Sequence, residues 1–393
     1  MKRLIPLLLS LAILLAGCAT PAPTPSPSQT PTISPTQTVS PISVMPISPV
    51  AQNENPIAAL GEAIFNDLHS RGKQNIAISP LSAYFALGMV ANGAKADTAD
   101  AFSAVLGMTN EKRNTYIAGV SDRLAQTAGS TKLDIANSVW VDDQLAINKD
   151  FQKNAADYYK AEVFNRNLQT KETADAINAW VSEKTQGLIP FIVQQLNKNC
   201  RMALFNTLYM KAQWQAPFDP NASREGTFHA QEKDINTLFM HARTGTQQYI
   251  ETDKLEGVLL PYDDDRLVFM AIQPKKGGSA ADIQLSGDTI NAWANSAKEK
   301  DHVNLSLPKF DIAFETELND VLSAFGLGIA FNPANADFTG IGQAEQNLFI
   351  STVMQKVRVK VDEKGTEAAA VTGIMLDAGG AMTEEPYELR FDQ

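Results

Sequence analysis

The helical patterns of this chain come before its strand patterns, and this order limits the folds that are open to it. Apolar residues recur at spacings of three and four in the earlier part, as in Pro56 to Ser70. Later segments are either continuously apolar, like residues 203–210, or alternating, like His302 to Phe314. Helices gathered before strands predict an α+β fold and not a repeating α/β unit.

Capping residues set the limits of several predicted helices. Ser79 is a good N-cap, because the proline that follows it suits the first turn of a helix. A further helix is predicted from about Asp97 to a C-cap at Gly107. Another, which contains Trp180, ends at Gly187.

The first 17 residues predict a signal peptide, because a basic start precedes a short apolar run and small residues. The following Cys18 completes Leu-Ala-Gly-Cys, which resembles the bacterial lipobox, whose cysteine is lipidated. An ordinary signal peptide with an incidental cysteine is the alternative. Attachment to a membrane would be through the lipid alone, since no second apolar run has spanning length.

Residues 18–55 are predicted to be this lipidated cysteine and a tether. Proline, serine and threonine dominate the tether, which cannot bury enough surface to fold. Residues 56–393 then form one predicted domain. The net charge of −11 argues against nucleic acid or an anionic membrane as the main partner. Cys200 has no partner for an intrachain disulfide and is predicted to be buried.

The sequence offers no catalytic, metal or cofactor motif. None of its four histidines has metal-ligand spacing, and no Gly-x-Ser-x-Gly, phosphate-binding loop or dinucleotide fingerprint is present. We therefore predict that the chain is not an enzyme and has neither a metal nor a cofactor.

The segment from Asp362 to Ile374 shows a conflict between propensity and pattern. Its glycines, alanines and polar residues favour a loop. Yet every second residue from Thr366 is small or aliphatic, as the inward face of a buried strand requires. Such a segment can exist both as a loop and as a strand, and conflicts of this kind are expected at functional sites.

This segment resembles the reactive-loop hinge of serpins, a family of mostly inhibitory, protease-trapping proteins. The resemblance is carried by Glu363, Lys364, Gly365, Thr366, Glu367, Ala368, Ala369 and Ala370. Further matches to the family follow in the right order over residues 75–82, 93–95, 178, 185–187, 206–218, 303–310 and 336–341. The resemblance implies the serpin fold, in which helices pack on three β-sheets and an exposed loop lies near the C-terminus.

It also implies a mechanism. A target protease attacks the loop as a substrate, the cleaved loop inserts into the large sheet, and the trapped acyl-enzyme cannot be hydrolysed. The predicted function is suicide inhibition of serine-type endopeptidases. A non-inhibitory serpin is one alternative, and a surface solute-binding lipoprotein or hydrolase is another.

The position of the reactive bond is open. Counting from Glu363 with the family's spacing reaches Gly379–Gly380, whereas counting back from Phe391 reaches Met382 or Thr383. The loop has no Arg or Lys before Arg390, and its small and aliphatic residues favour an elastase- or subtilisin-like target. An aspartate-specific enzyme and a cysteine protease remain alternatives.

Two features depart from the family. Gln355 stands where serpins usually have a histidine. The resemblance implies that this position belongs to a cluster near Ser79 and Asn178 that controls opening of the sheet. It also implies that Trp214 lies beneath the loop's point of insertion. The family also continues beyond a block like residues 389–393 with two apolar strands. We therefore expect a truncated domain with exposed core and unpaired strand edges.

Together these features predict an exported, monomeric protein. It would be lipid-anchored at the bacterial cell surface or in the periplasm, or released from the cell. Its predicted partner is the target protease.

Overall fold

The structure, a computed structural model, describes residues 55–73, 75–230, 233–242, 244–280, 283–343, 345, 347–366 and 385–393. Its helices are α1 (Pro56–Ser70), α2 (Pro80–Ala91), α3 (Ala96–Val105), α4 (Asn110–Ala125), α5 (Lys149–Tyr159), α6 (Lys171–Lys184), α7 (Gly287–Ser296) and α8 (Asn319–Leu322). Its strands are β1 (Lys132–Asp142), β2 (Ala146–Ile147), β3 (Glu162–Arg166), β4 (Met202–Gln213), β5 (Arg224–His229), β6 (Asp234–His241), β7 (Gly245–Glu251), β8 (Leu255–Pro261), β9 (Val268–Pro274), β10 (Lys298–Pro308), β11 (Phe310–Glu317), β12 (Gly342–Gln343), β13 (Thr352–Asp362), β14 (Gly365–Thr366) and β15 (Tyr387–Arg390).

These elements confirm the predicted α+β class. The described residues form a six-stranded sheet in the order β11-β13-β14-β4-β1-β3, and a seven-stranded sheet in which β5-β6-β10-β7-β8-β9 run side by side and β15 joins β10. The short pair β12-β2 is the third sheet. Helix α2 is buried along its whole length, as the central helix of the main core.

The predicted capping residues lie where the sequence placed them. Ser79 caps α2 with its side chain, and Pro80 occupies the first helical position. Gly107 and Gly187 follow α3 and α6 with φ angles of 68° and 80°, the left-handed conformation that terminates helices. The prediction that Cys200 is buried is also confirmed, and burial raises the pKa of its thiol to about 11.

One strand predicted from the sequence is two strands in the structure. The alternating run from His302 to Phe314 breaks at Lys309, where the chain leaves β10 in the seven-stranded sheet and begins β11 in the six-stranded sheet. The apolar residues change phase at this point, from Val303, Leu305 and Leu307 to the even-numbered positions that begin at Phe310. The change of phase marks a break in the strand, but it does not show that the chain moves to another sheet.

Strand β9 is the last strand of the seven-stranded sheet in the part of the chain that the structure describes. It pairs with β8, and it carries no charged residue. Val268, Phe269, Met270 and Ile272 are only partly buried.

Candidate functional site

The predicted hinge begins as a tight turn at one end of the six-stranded sheet. Strand β13 ends at Asp362, the chain reverses, and β14 lies antiparallel to both β13 and β4. Gly365 has a φ of 150°, and a Cβ atom there would lie 2.0 Å from the carbonyl oxygen of Ala212. A glycine is therefore required for the hinge to fit between the two strands.

Glu363 fastens this turn. Its side chain accepts hydrogen bonds from Lys309 Nζ and Ser223 Oγ, both at 2.8 Å, and the residue is only 7% exposed. Burial alone would raise the pKa of the carboxyl group. The hydrogen bonds from Lys309, the backbone and Ser223 outweigh burial and hold the pKa below its ordinary value, so Glu363 is charged at neutral pH.

Trp214 supports the turn from below. Its indole Nε1 donates to the carbonyl oxygen of Asp362 at 2.9 Å, and its backbone N–H donates to that of Lys364 at 2.8 Å. The indole stacks on the ring of Tyr262, with centroids 4.7 Å apart. The Tyr262 hydroxyl lies 2.6 Å from Thr366 Oγ1, so Thr366, only 5% exposed, is already seated in the sheet.

Between Thr366 and Gln355, the described residues of β13 and β4 are not paired with each other. Strands β13 and β4 pair directly from Thr352 and Ala203 to Gln355 and Asn206, and β14 lies between them at the hinge end. Within the described residues, no pairing joins 356–360 of β13 to 207–211 of β4. We call these two facing stretches the gap.

Gln355 marks the closed end of the gap. Its side-chain Oε1 accepts from the Ser79 backbone N–H, and its Nε2 donates to the Ser79 carbonyl oxygen, each at 3.0 Å. Both residues are buried. The strand is thus pinned to the first turn of α2 where β13 and β4 come together.

Asn178 does not lie in this cluster as expected. Its side chain bonds to the backbone of Ile192 and Val193, in the segment that follows α6. The neighbouring Ile177 and Trp180 belong to the same apolar cluster as Ala203 and Phe205 of β4. Asn178 therefore stabilises the segment that packs over the sheet and not the contact between Gln355 and Ser79.

Several predicted site residues fall outside the described residues. These are Cys18, Glu367, Ala368, Ala369, Ala370, Gly379, Gly380 and Met382. The sequence analysis missed Ser223, Tyr262 and Lys309, which contact the hinge from positions 54–140 residues away in the chain. No local pattern marks them, because only the fold brings them to the turn.

Two further features, a metal-binding cluster and a membrane-spanning helix, are absent from the described part of the chain. No group of His, Cys, Asp and Glu side chains there could hold a metal ion. No helix among the described residues has the length and apolar character needed to cross a bilayer.

Comparison with known proteins identifies the same architecture. A family model described as Serpin (serine protease inhibitor) matches residues 56–393. A serpin-like protein of Thermococcus kodakarensis is 31% identical over 100% of this chain and 94% of its own length. The native crystal structure of the thermophilic serpin Tengpin is 30% identical, with a TM-score of 0.76 over 89% of this chain and 92% of that one. Its latent state gives 32% identity and a TM-score of 0.72 over 79% and 85%.

Proposed function

The chain belongs to the serpin family, and we propose that it is an exported inhibitor that traps serine proteases by inserting its cleaved loop into the six-stranded sheet. The observation that carries the proposal is the seating of Gly365 and Thr366 between β13 and β4, with the gap directly ahead of them. A loop that begins inside the sheet needs only to continue along the same path.

The register of β14 supports this path. Thr366 lies opposite Val361 and Ala212, both buried, so the next inward position of the loop falls to Ala368. By the same antiparallel register Ala368 would lie opposite Val359 and Met210, both apolar. An alanine meets no charge there, and insertion would bury it without an unpaired polar group.

The length of the loop supports a large displacement of the protease. From Thr366 to Gly379 the loop has 14 residues, which as a strand would span roughly 46 Å at about 3.3 Å each. If each new hydrogen bond contributes about 0.5–1.5 kcal/mol, full insertion contributes on the order of 10–20 kcal/mol. That is comparable with the stability of a whole domain, so insertion is irreversible in practice.

We further propose that the target is an elastase- or subtilisin-like serine protease met outside the cell. Small and aliphatic residues in the loop and the absence of Arg or Lys before Arg390 support this choice. The lipobox-like Cys18 and its tether support a place at a bacterial membrane surface.

The test is incubation of the purified chain with a panel of proteases, followed by denaturing electrophoresis. We expect a covalent complex that survives SDS with at least one elastase- or subtilisin-like enzyme. Thr366→Arg should abolish that complex and leave a cleavable substrate, because the arginine would bury a charge at the seated position from which insertion proceeds. Thr366→Ser, which keeps the hydroxyl group that contacts Tyr262, is the matched control.

The mechanism is wrong for this chain if Thr366→Arg forms the complex as well as the parent does. Clean cleavage of the parent without any complex would instead favour a non-inhibitory serpin.

A further inference from the structure

Strand β15 begins three residues after residue 384, which ends the loop segment outside the described part of the chain. It therefore anchors the C-terminal end of that loop. Its four residues pair in parallel with β10, from Val303 opposite Tyr387 to Ser306 opposite Arg390. Leu389 is fully buried, whereas Tyr387 is exposed. So short a strand depends on its side chains to stay attached.

Arg390 extends across three neighbouring strands. Its guanidinium carbon lies 4.5 Å from the centre of the Phe239 ring on β6, beyond β10. Its Nη2 reaches 3.4 Å from the carbonyl oxygen of Thr227 on β5. A Cβ atom at Gly226 would lie only 2.7 Å from that nitrogen, so the missing side chain makes room for it. We call this side chain the Arg390 strap.

His241 lies beside the strap. It is opposite Ser306, which is itself opposite Arg390, so the three side chains share one face of the sheet. Its Nδ1 is 2.8 Å from Ser306 Oγ. Phe239, under the guanidinium, is two residues away on the same face.

The charges around His241 are mostly positive. Burial, then Arg390 on β15 and Arg224 on β5, hold the pKa of His241 below its ordinary value, and Glu388 on β15 acts in the opposite direction. Glu388 accepts from Asn304 Nδ2, and Arg390 pairs with Asp392 at 2.7 Å. Protonation of His241 would therefore place a third positive charge beside two arginines.

We propose that protonation of His241 displaces the Arg390 strap and loosens β15, so that acid releases the far end of the loop. The direction of the pH dependence follows from the neutral state of His241 in the folded chain. Its contribution to stability is complete above the ordinary histidine pKa of about 6.5 and is lost as the pH falls toward the lower pKa of the folded state. The effect on inhibition rests on the proposed function, but the loosening of β15 does not.

Amide hydrogen exchange of residues 387–390 in the full chain tests the proposal, as protection relative to an unstructured peptide at about pH 7.5 and about pH 5. We expect protection to fall several-fold at the lower pH in the parent and to stay constant in His241→Gln, which keeps a hydrogen-bonding group but does not titrate. His69→Gln is the matched control, because His69 is exposed near the end of α1 and lies in neither sheet. It should behave like the parent.

Arg390→Gln should lower protection at both pH values and remove most of the pH dependence. The proposal is overturned if the parent keeps its protection at low pH, or if His241→Gln loses it as the parent does. A parent that forms no protease complex but shows the acid response would contradict the proposed function and leave this inference standing.

Discussion

At the scale of single residues, the hinge depends on contacts that leave little choice of side chain. Gly365 fits because no Cβ atom meets the carbonyl of Ala212. Thr366 fits because it is small enough for the interior and still bonds to the Tyr262 hydroxyl. Glu363 is held by a lysine from the junction of β10 and β11. The turn is thus already formed in this structure.

We expect Lys309→Met to lower the free energy of unfolding by about 1–3 kcal/mol near neutral pH, because it removes a partner from a buried carboxylate. Denaturant titration measures the change. The difference from the parent should shrink as the pH falls below about 4.3 and Glu363 becomes protonated.

Lys171→Met is the control for this variant, since its ion pair with Asp175 is exposed on α6. Such pairs contribute about 0–1 kcal/mol. An equal loss in the two variants would contradict the role given to Lys309.

A second residue-scale prediction concerns Glu367. The register of β14 would bring it opposite Lys360 of β13 and Lys211 of β4 on the solvent face after insertion. We expect Glu367→Lys to raise the number of inhibitor molecules consumed per protease, because like charges across strands are repulsive by about 0.2–1 kcal/mol per pair. Adding Lys360→Glu should restore part of the efficiency. A double variant no better than the single one would refute this register.

At the scale of elements, we propose that the contact between β13 and α2 governs opening of the sheet. We expect Gln355→Ala to let the gap lengthen, because it leaves the backbone of Ser79 without two buried hydrogen bonds. Warm incubation without protease should then remove inhibitory activity faster than in the parent.

Ser79→Ala separates this effect from helix capping. It removes the N-cap of α2 but keeps the backbone groups that Gln355 contacts. It should lower stability by about 0.5–2 kcal/mol without the faster loss of activity. Equal loss in both variants would mean that α2 stability, and not the Gln355 contact, controls opening.

Sequence patterns were most informative about the secondary-structure elements. Helix α1 and the caps of α2 and α6 have strong local patterns, and the structure confirms them. The passage from β10 to β11 was missed because the change of phase at Lys309 marks a break in a strand and not the sheet that follows. The position of Asn178 could not be predicted, because an asparagine carries no mark of its partner. The cluster around Glu363 was invisible for the same reason: Ser223 and Lys309 are distant in the chain.

At the scale of the whole molecule, the edge of β9 in the described part of the chain is a surface on which another chain could pair. We expect Val268→Lys to reduce the aggregation measured by light scattering on warming, because a lysine on an edge strand opposes pairing with another chain. Gln248→Lys adds the same charge at an exposed position of β7, a strand inside the same sheet, and should change the aggregation little. If both variants aggregate less to the same degree, net charge and not the β9 edge is responsible.

The placement of the hinge turn inside the sheet also affects the rate of the proposed loop insertion. Starting a new strand inside a sheet ordinarily requires the chain ends to meet, which costs loop-closure entropy before any contact rewards it. Here the turn after Asp362 has already made the first rungs with both neighbours. In the proposed mechanism, insertion is therefore a matter of propagation alone. Its rate should depend on separating β13 from β4 at Gln355 and not on the length of the loop that follows.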